Sequence, residues 1–315
     1  MTFASQPDFV APDGAGIAMA AQVLRAGGLV AVPTETVYGL AARADSDVAV
    51  AAIYRAKGRP SFNPLIVHVA DLAAADRLAI MDERARLLAA RFWPGALTMV
   101  LPLRADAGLA ASVTAGLPTV ALRCPAHPVM RALLAASDLP LAAPSANRSG
   151  AVSPTRPEHV RASLGEAIDL IVDGGACELG LESTIVALRA GDGWAQLRPG
   201  PVSEAEIAAL LGELPEITDL SRIEAPGQLA SHYSPGKPVR LDADVAGPDE
   251  FHIGFGPVAG HVSLSAKGDI AEAATRLYAA LHEAAASPLA SIAVAPIPAE
   301  GLGLAVRDRL RRAAA

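Results

Sequence analysis

Between residues 32 and 63 the chain reads VPTETVYGL and, after a helical stretch, KGRPSFN. The first motif crowds the hydroxyls of Thr34, Thr36 and Tyr38 at the end of an apolar run closed by Gly39. Side chains of an extended chain alternate, so two of these hydroxyls share a face and suit a small polar solute. Alone, the stretch reads equally as an ordinary edge strand. The second motif sets the point charge of Lys57 beside the bidentate fork of Arg59, with Asn63 close behind. Both cations suit phosphate oxygens, and Gly58 would let the backbone approach a ligand. By itself KGR is also a basic helix C-terminus that complements the helix dipole. It is not the GxxxxGK[ST] phosphate loop.

Five more polar constellations follow. His68 lies in an apolar strand, where alternation turns it away from Val67 and Val69. Thr119 and Arg123 are four residues apart in another strand and share a face, so a cation there could hold a carboxylate. Pro144-Ser145-Ala146-Asn147 leaves a short buried strand and leads to Ser149, Gly150, Ser153 and Thr155. Loops at the carboxyl ends of strands are where open α/β sheets bind ligands. Glu182-Ser183-Thr184 precedes a strand and Arg198-Pro199-Gly200 follows one.

The elements that must position these groups are legible from periodicity and caps. Helices are expected over residues 14–26, 47–56, 81–92, 127–136, 157–164 and 203–211, with a short one capped by Asp71. Strands are expected over 29–32, 65–69, 97–103, 119–122, 141–143, 168–172, 183–188 and 194–197. Residues 212–238 carry turn residues and the run SHYSPGKP but no periodic segment, and read as an interdomain linker. Beyond it, short strands at 239–241, 251–255, 262–264 and 291–295 alternate with helices at 270–286 and 301–312. That alternation implies a small, mainly parallel α/β unit.

Composition excludes several classes. The 315 residues are 52% hydrophobic and 19% charged, enough for two packed domains. The net charge of −7 argues against a broad grip on nucleic acid. Cys124 and Cys177 form no CxxC pattern, so no zinc site or disulfide framework is expected, and a reducing cytoplasm is the natural compartment. The N-terminus has no signal-peptide pattern, and no apolar run is long enough to span a membrane. Nucleophile elbows, HExxH and GxGxxG after a strand do not occur.

Taken in register, PTETVYGL, KGRP with NPL, PSAN with SG and SPT, ESTIV and LRPG make the chain resemble the YrdC-type threonylcarbamoyl-adenylate synthases over roughly residues 12–211. HYSPGKP and the trailing α/β segment are similar to the family's longer, two-domain form. The resemblance implies an α/β fold: a twisted, open, mixed-sheet YrdC-like domain with a concave site (1–211), a linker over that site (212–238) and a small Rossmann-like domain (239–315). It implies ATP-dependent joining of L-threonine and bicarbonate to AMP with release of pyrophosphate, the adenylate then passing to a tRNA threonylcarbamoyl transferase for modification of adenosine 37. It implies threonine contacts from Thr36, His68, Arg123, Ala143 and Ser183. ATP contacts are implied for Arg59, Asn63, Thr119, Ser145, Asn147, Ser153, Arg198 and Tyr233. Lys57 and Arg59 would offset phosphate charge as the catalytic pair, with Mg²⁺ accompanying ATP and no metal ligand in the chain itself. Two other readings stand beside this one. An RNA-binding module on the same fold is disfavoured by the acidic balance. A carbamoyl-transfer enzyme of hydrogenase maturation is disfavoured by the lack of zinc-finger cysteines and by length.

Overall fold

Alternating side chains organise residues 8–198 around one mixed sheet with different neighbours on its two faces. The computed structural model describes residues 7–189, 191, 193–216, 224–228 and 232–315. Residues 1–6, and 217–223 and 229–231 of the expected linker, lie outside the described residues. The strands are β1 (Asp8–Val10), β2 (Val30–Val32), β3 (Gly39–Arg43), β4 (Ile66–His68), β5 (Leu97–Pro102), β6 (Thr119–Arg123), β7 (Leu141–Ala142), β8 (Leu170–Val172), β9 (Thr184–Leu188) and β10 (Trp194–Arg198). Their order across the sheet is β1-β8-β2-β3-β7-β4-β6-β5-β9-β10. Parallel pairs such as β4–β6 and β5–β9 alternate with antiparallel ones such as β3–β7 and β5–β6.

Helices α1 (Gly14–Arg25) and α6 (Pro128–Ser137) cover one end of one face, where Leu24, Met130 and Leu133 pack on Val30, Val32 and Leu141. The other face carries the main core. There α2 (Asp47–Lys57), α3 (Leu72–Leu78), α4 (Glu83–Phe92), α5 (Ala111–Thr114), α7 (Pro157–Leu164) and α8 (Glu204–Leu211) bring Ile53, Leu88 and Ile207 onto Leu40, Val67, Leu97 and Met99. The caps agree with the sequence. Asp71 and Ser46 accept from the first turns of their helices, and Ser203 with Glu206 forms a capping box.

The strands β1 and β3 and the helix α5 were not expected. GLAAR of β3 lacks the β-branched and aromatic residues that mark strands, and its alanines favour helix. Pairing with β2 on one side and β7 on the other overrides that preference.

The C-terminal part is a second, all-parallel sheet of β11 (Val239–Arg240), β12 (Glu250–Gly254), β13 (Val262–Ser263) and β14 (Ser291–Val294), in the order β11-β14-β12-β13. On it pack α9 (Ile270–Ala286) and α10 (Leu302–Ala313), through Leu277, Leu281, Val306 and Leu310. Val37, Val152, Leu181 and Tyr233 belong to this same apolar cluster, so the second domain rests against segments that carry the expected site. Among the described residues of 212–238 no helix or strand forms. No helix of the described residues is long and apolar enough to cross a membrane.

Candidate active site

The period of two along β4, β6 and β9 decides which residues face the core and which face the site. Val67, Val120, Leu122, Val186 and Leu188 enter the main core. The intervening Ile66, Ala121, Ile185 and Ala187 form an apolar floor on the opposite face, covered by Ala225. Along the same face, His68 and Arg123 continue the register of Ile66 and Ala121 and line a cavity. The remaining walls come from the Thr34–Gly39 turn, from Arg59, from Ala143-Pro144-Ser145, from Glu182-Ser183 and Arg198, and from Pro226-Gly227 and His232-Tyr233.

One side of the cavity suits a small amino acid. Arg123 donates Nη1 to Thr36 Oγ1 at 2.9 Å and Nε to the Gly95 carbonyl at 3.1 Å. Its Nη2 makes a 2.7 Å ion pair with Glu35 Oε1. Thr36 Oγ1 also meets Thr34 Oγ1 at 2.8 Å. His68 is buried, and its Nδ1 has no hydrogen-bond partner. Burial, with Arg123 nearby, pulls the His68 pKa down to about 3, so the imidazole is neutral at pH 7. Burial pushes the Glu35 carboxyl up, but the charge and hydrogen bonding of Arg123 and backbone N–H groups outweigh it, leaving a pKa of about 2.

The other side suits polyanions. Arg59 donates Nε to the Asn63 carbonyl at 3.1 Å, and Nη2 to Asn63 Oδ1 at 2.6 Å and the Pro64 carbonyl at 2.8 Å. Arg198 donates Nε to the Ser183 carbonyl at 3.0 Å and Nη2 to Ser183 Oγ at 3.1 Å. Both guanidiniums keep Nη1 outside these bonds. Burial lowers the Arg59 pKa to about 10, so it stays charged at neutral pH. Gly200 allows the chain after Arg198 to pass against the ESTIV strand, because a Cβ there would lie 2.4 Å from Thr184 N. Tyr233, at φ +64, reaches the cavity with its buried hydroxyl unpartnered, and so does His232 with its Nδ1. Buried polar atoms without partners are rare in native proteins, and here they point to a ligand.

Of the residues singled out in the sequence, Thr36, Arg59, His68, Arg123, Ala143, Ser145, Ser183, Arg198 and Tyr233 line the cavity. Five do not. Asn63 and Ser153 stand behind it, bonded to the lining residues Arg59 and Glu182. Asn147 turns its amide nitrogen to the Arg148 and Ala151 carbonyls. Thr119 shares the site face with Arg123 but sits four residues along β6, about 13 Å away at strand rise. Lys57 is buried, and its ammonium donates to the Ser145 and Asn147 carbonyls rather than to the cavity. Burial, with Arg59 adding to it, holds its pKa well below the usual lysine value. Gly58 closes α2 in the left-handed conformation at φ +59, which turns the chain between Lys57 and Arg59. Glu35, Glu182, Gly227 and His232 were not anticipated. Their only sequence signals were position within PTET, ESTIV and the linker.

Among the described residues no group of three or more His, Cys, Asp or Glu side chains is placed to hold a metal. Glu182, the carboxylate on the cavity wall, is engaged by Arg309, and Glu35, which does not line the cavity, is engaged by Arg123. The residues present therefore do not fit a resident Mg²⁺ centre.

Stability should fall on acidification before any carboxylate titrates. Burial, the largest cause for both, holds His68 and His232 near 3 in the folded protein, while the unfolded chain takes up these protons near 6.5. Stability is thus full above pH 6.5 and declines as pH drops toward 3. Urea midpoints should show a loss of roughly 2–4 kcal/mol between pH 7 and pH 5. Glu35 and Glu182 add a second loss only between about pH 4.5 and 2.

A family model described as "Telomere recombination", covering Sua5, YciO and YrdC proteins, matches residues 22–200. The chain belongs to this family. A second model, described as "Threonylcarbamoyl-AMP synthase, C-terminal domain", matches residues 202–315. The threonylcarbamoyl-AMP synthase of Bacillus subtilis (strain 168) is 40% identical, covering 99% of this chain and 96% of its own. That of Pyrococcus abyssi (strain GE5 / Orsay) is 38% identical over 94% of this chain and 93% of its own. Among solved structures, P. abyssi Sua5 complexed with L-threonine is similar with a TM-score of 0.89 at 35% identity, covering 98% of this chain and 97% of that one. Family membership and the full-length match agree with the two sheets found here.

Proposed function

We propose that the chain is a threonylcarbamoyl-AMP synthase: it joins L-threonine, bicarbonate and ATP into L-threonylcarbamoyladenylate and releases pyrophosphate, an ATP-dependent nucleotidyl transfer. The observation that carries this is a single cavity in which Thr36, His68, Arg123 and Ser183 stand next to Arg59 and Arg198. The first group suits a carboxylate and a hydroxyl, and the second suits phosphates. The family's synthases and the threonine-bound P. abyssi structure support it.

Chemistry here needs no protein nucleophile. The amine of threonine attacks the carbon of bicarbonate and water leaves, giving a carbamate. A carbamate oxygen attacks the α-phosphorus of ATP, the bond to the bridging oxygen breaks, and pyrophosphate departs. The protein contributes position and charge. Arg123 holds the threonine carboxylate, its guanidinium oriented by Glu35 and Thr36, while neutral His68 and Ser183 face the rest of the amino acid. Arg59 and Arg198 take phosphate oxygens. Ser145 sits at the join, held there by Lys57 through its carbonyl, with Asn147 under the same cation. Asn63 fixes Arg59, and Ser153 fixes Glu182. Thr119, at the far end of the apolar floor, falls to the nucleoside end of ATP. Lys57 thus acts by positioning the 145–147 loop, and Arg59 is the charge-offsetting group.

Division at 1–211, 212–238 and 239–315 accounts for the two sheets and the irregular segment between them. Pro226, Gly227, His232 and Tyr233 from that segment cover the cavity, and exclusion of water protects a carbamate, which decomposes readily in it. Mg²⁺ belongs to this reading as the counter-ion that ATP brings with it. The adenylate would pass to a tRNA threonylcarbamoyl transferase in the cytoplasm. A purely RNA-binding role lacks support in the acidic balance and in the relatives. The test is pyrophosphate release with ATP, bicarbonate and single amino acids in turn. Release with threonine, and at least about tenfold less with serine or valine, is expected from a pocket that recognises both a methyl and a hydroxyl. Equal release with all of them, or none, contradicts it.

A further inference from the structure

We propose that the C-terminal domain completes the nucleotide side of the cavity through Glu182, a positioning residue that the last two helices clamp in place. Glu182 lines the cavity and is only 6% exposed. Its Oε1 accepts from Ser153 Oγ at 2.5 Å, in the long loop after β7. Its Oε2 accepts from the Tyr278 hydroxyl of α9 at 2.8 Å and from Arg309 Nε of α10 at 3.0 Å. Arg309 is itself wholly buried, and its Nη1 donates to the Pro199 carbonyl at 2.7 Å, one residue beyond Arg198. One carboxylate and one guanidinium therefore tie three cavity-forming segments to one face of the second domain.

The arrangement reaches the phosphate-suited side directly. Ser183, the next residue, accepts from Arg198 through both its carbonyl and its hydroxyl. Arg198 is thus fixed on one side by the residue that Glu182 places and on the other by the turn that Arg309 holds. Tyr233 lies in the same cluster, with the Arg309 guanidinium 5.6 Å from its ring and the Tyr278 ring at 5.6 Å. A buried carboxylate without its cation, or the reverse, is strongly unfavourable. Docking of the second domain and ordering of this wall are therefore one event. Glu182 does not reach the threonine side, where Arg123 has Glu35, Thr36 and Gly95 as its own supports. Of the threonine-side residues only Ser183 adjoins Glu182, while Arg123, Thr36 and His68 do not, so the clamp should act on ATP far more than on threonine.

This inference rests on the reading of Arg198 as a phosphate ligand. The cleanest variant is Tyr278→Phe, which removes one hydroxyl and keeps the ring. Glu182→Gln combined with Arg309→Met removes the pair without leaving a buried charge alone. Both are compared with wild type in steady-state pyrophosphate release, varying ATP and threonine separately, with unfolding midpoints alongside. Tyr278→Phe should raise the KM for ATP about tenfold, the scale of one hydrogen bond to a charged group, and leave the KM for threonine within about twofold. The double variant should show a larger rise in the same direction. A wild-type KM for ATP in folded Tyr278→Phe, or equal rises for both substrates in either variant, overturns the clamp. Failure of the underlying reading would look different, because wild type itself would then show no threonine-dependent release.

Discussion

Arg123→Met should raise the KM for threonine about a hundredfold, the cost of one charge-assisted contact in a dry site. The same variant should lose about 3–5 kcal/mol of stability, because it leaves Glu35 buried and ionised without its cation. Those two effects have separate origins and can be separated. Glu35→Gln on the same background removes the stranded charge, so the unfolding midpoint should recover most of the loss. Threonine binding should not recover, since no guanidinium has returned. Recovery of both would mean that Arg123 serves only to neutralise Glu35. Urea titration and initial rates against threonine concentration read the two outcomes independently.

The second large effect is expected at Arg59. Arg59→Lys should lower kcat/KM for ATP about a hundredfold, with threonine affinity little changed. Arg59 spends Nε and Nη2 on the Asn63 side chain and carbonyl and on the Pro64 carbonyl. Only a planar fork can keep those bonds and still offer a further N–H to phosphate. An ammonium on a flexible stem must choose. Wild-type kcat/KM in the lysine variant would remove Arg59 from the phosphate side. Lys57 is different in kind. Its ammonium holds two carbonyls of the 145–147 loop, so its loss displaces Ser145 rather than deleting a phosphate contact.

Much of the site was legible because it follows the period of two. Alternation alone set His68 opposite Val67 and placed Thr119 and Arg123 on one face, and both placements hold in β4 and β6. What alternation cannot supply is position along the strand: Thr119 has the right face and the wrong end for the cavity. Nor can it supply partners distant in sequence. Glu35 reads as one polar residue among several until Arg123, 88 residues later, is folded against it. Glu182 acquires its meaning only from Arg309, 127 residues away in another domain. Orientation at a helix end was equally hidden. KGR offers two cations, but the left-handed Gly58 sends one behind the cavity and one onto its wall. The strand β3 was missed for a related reason, since its alanines carry no local signal and its pairing is wholly tertiary.

The central claim is that one cavity brings a carbamate of threonine to the α-phosphorus of ATP. It is tested most directly by supplying ¹³C-bicarbonate with ATP and threonine and taking the mass of the quenched product. The account predicts an adenylate containing one threonine, one AMP and one ¹³C, formed together with pyrophosphate and absent when any substrate is left out. ATP cleavage without a threonine-containing adenylate, or an adenylate that carries no ¹³C, would contradict it.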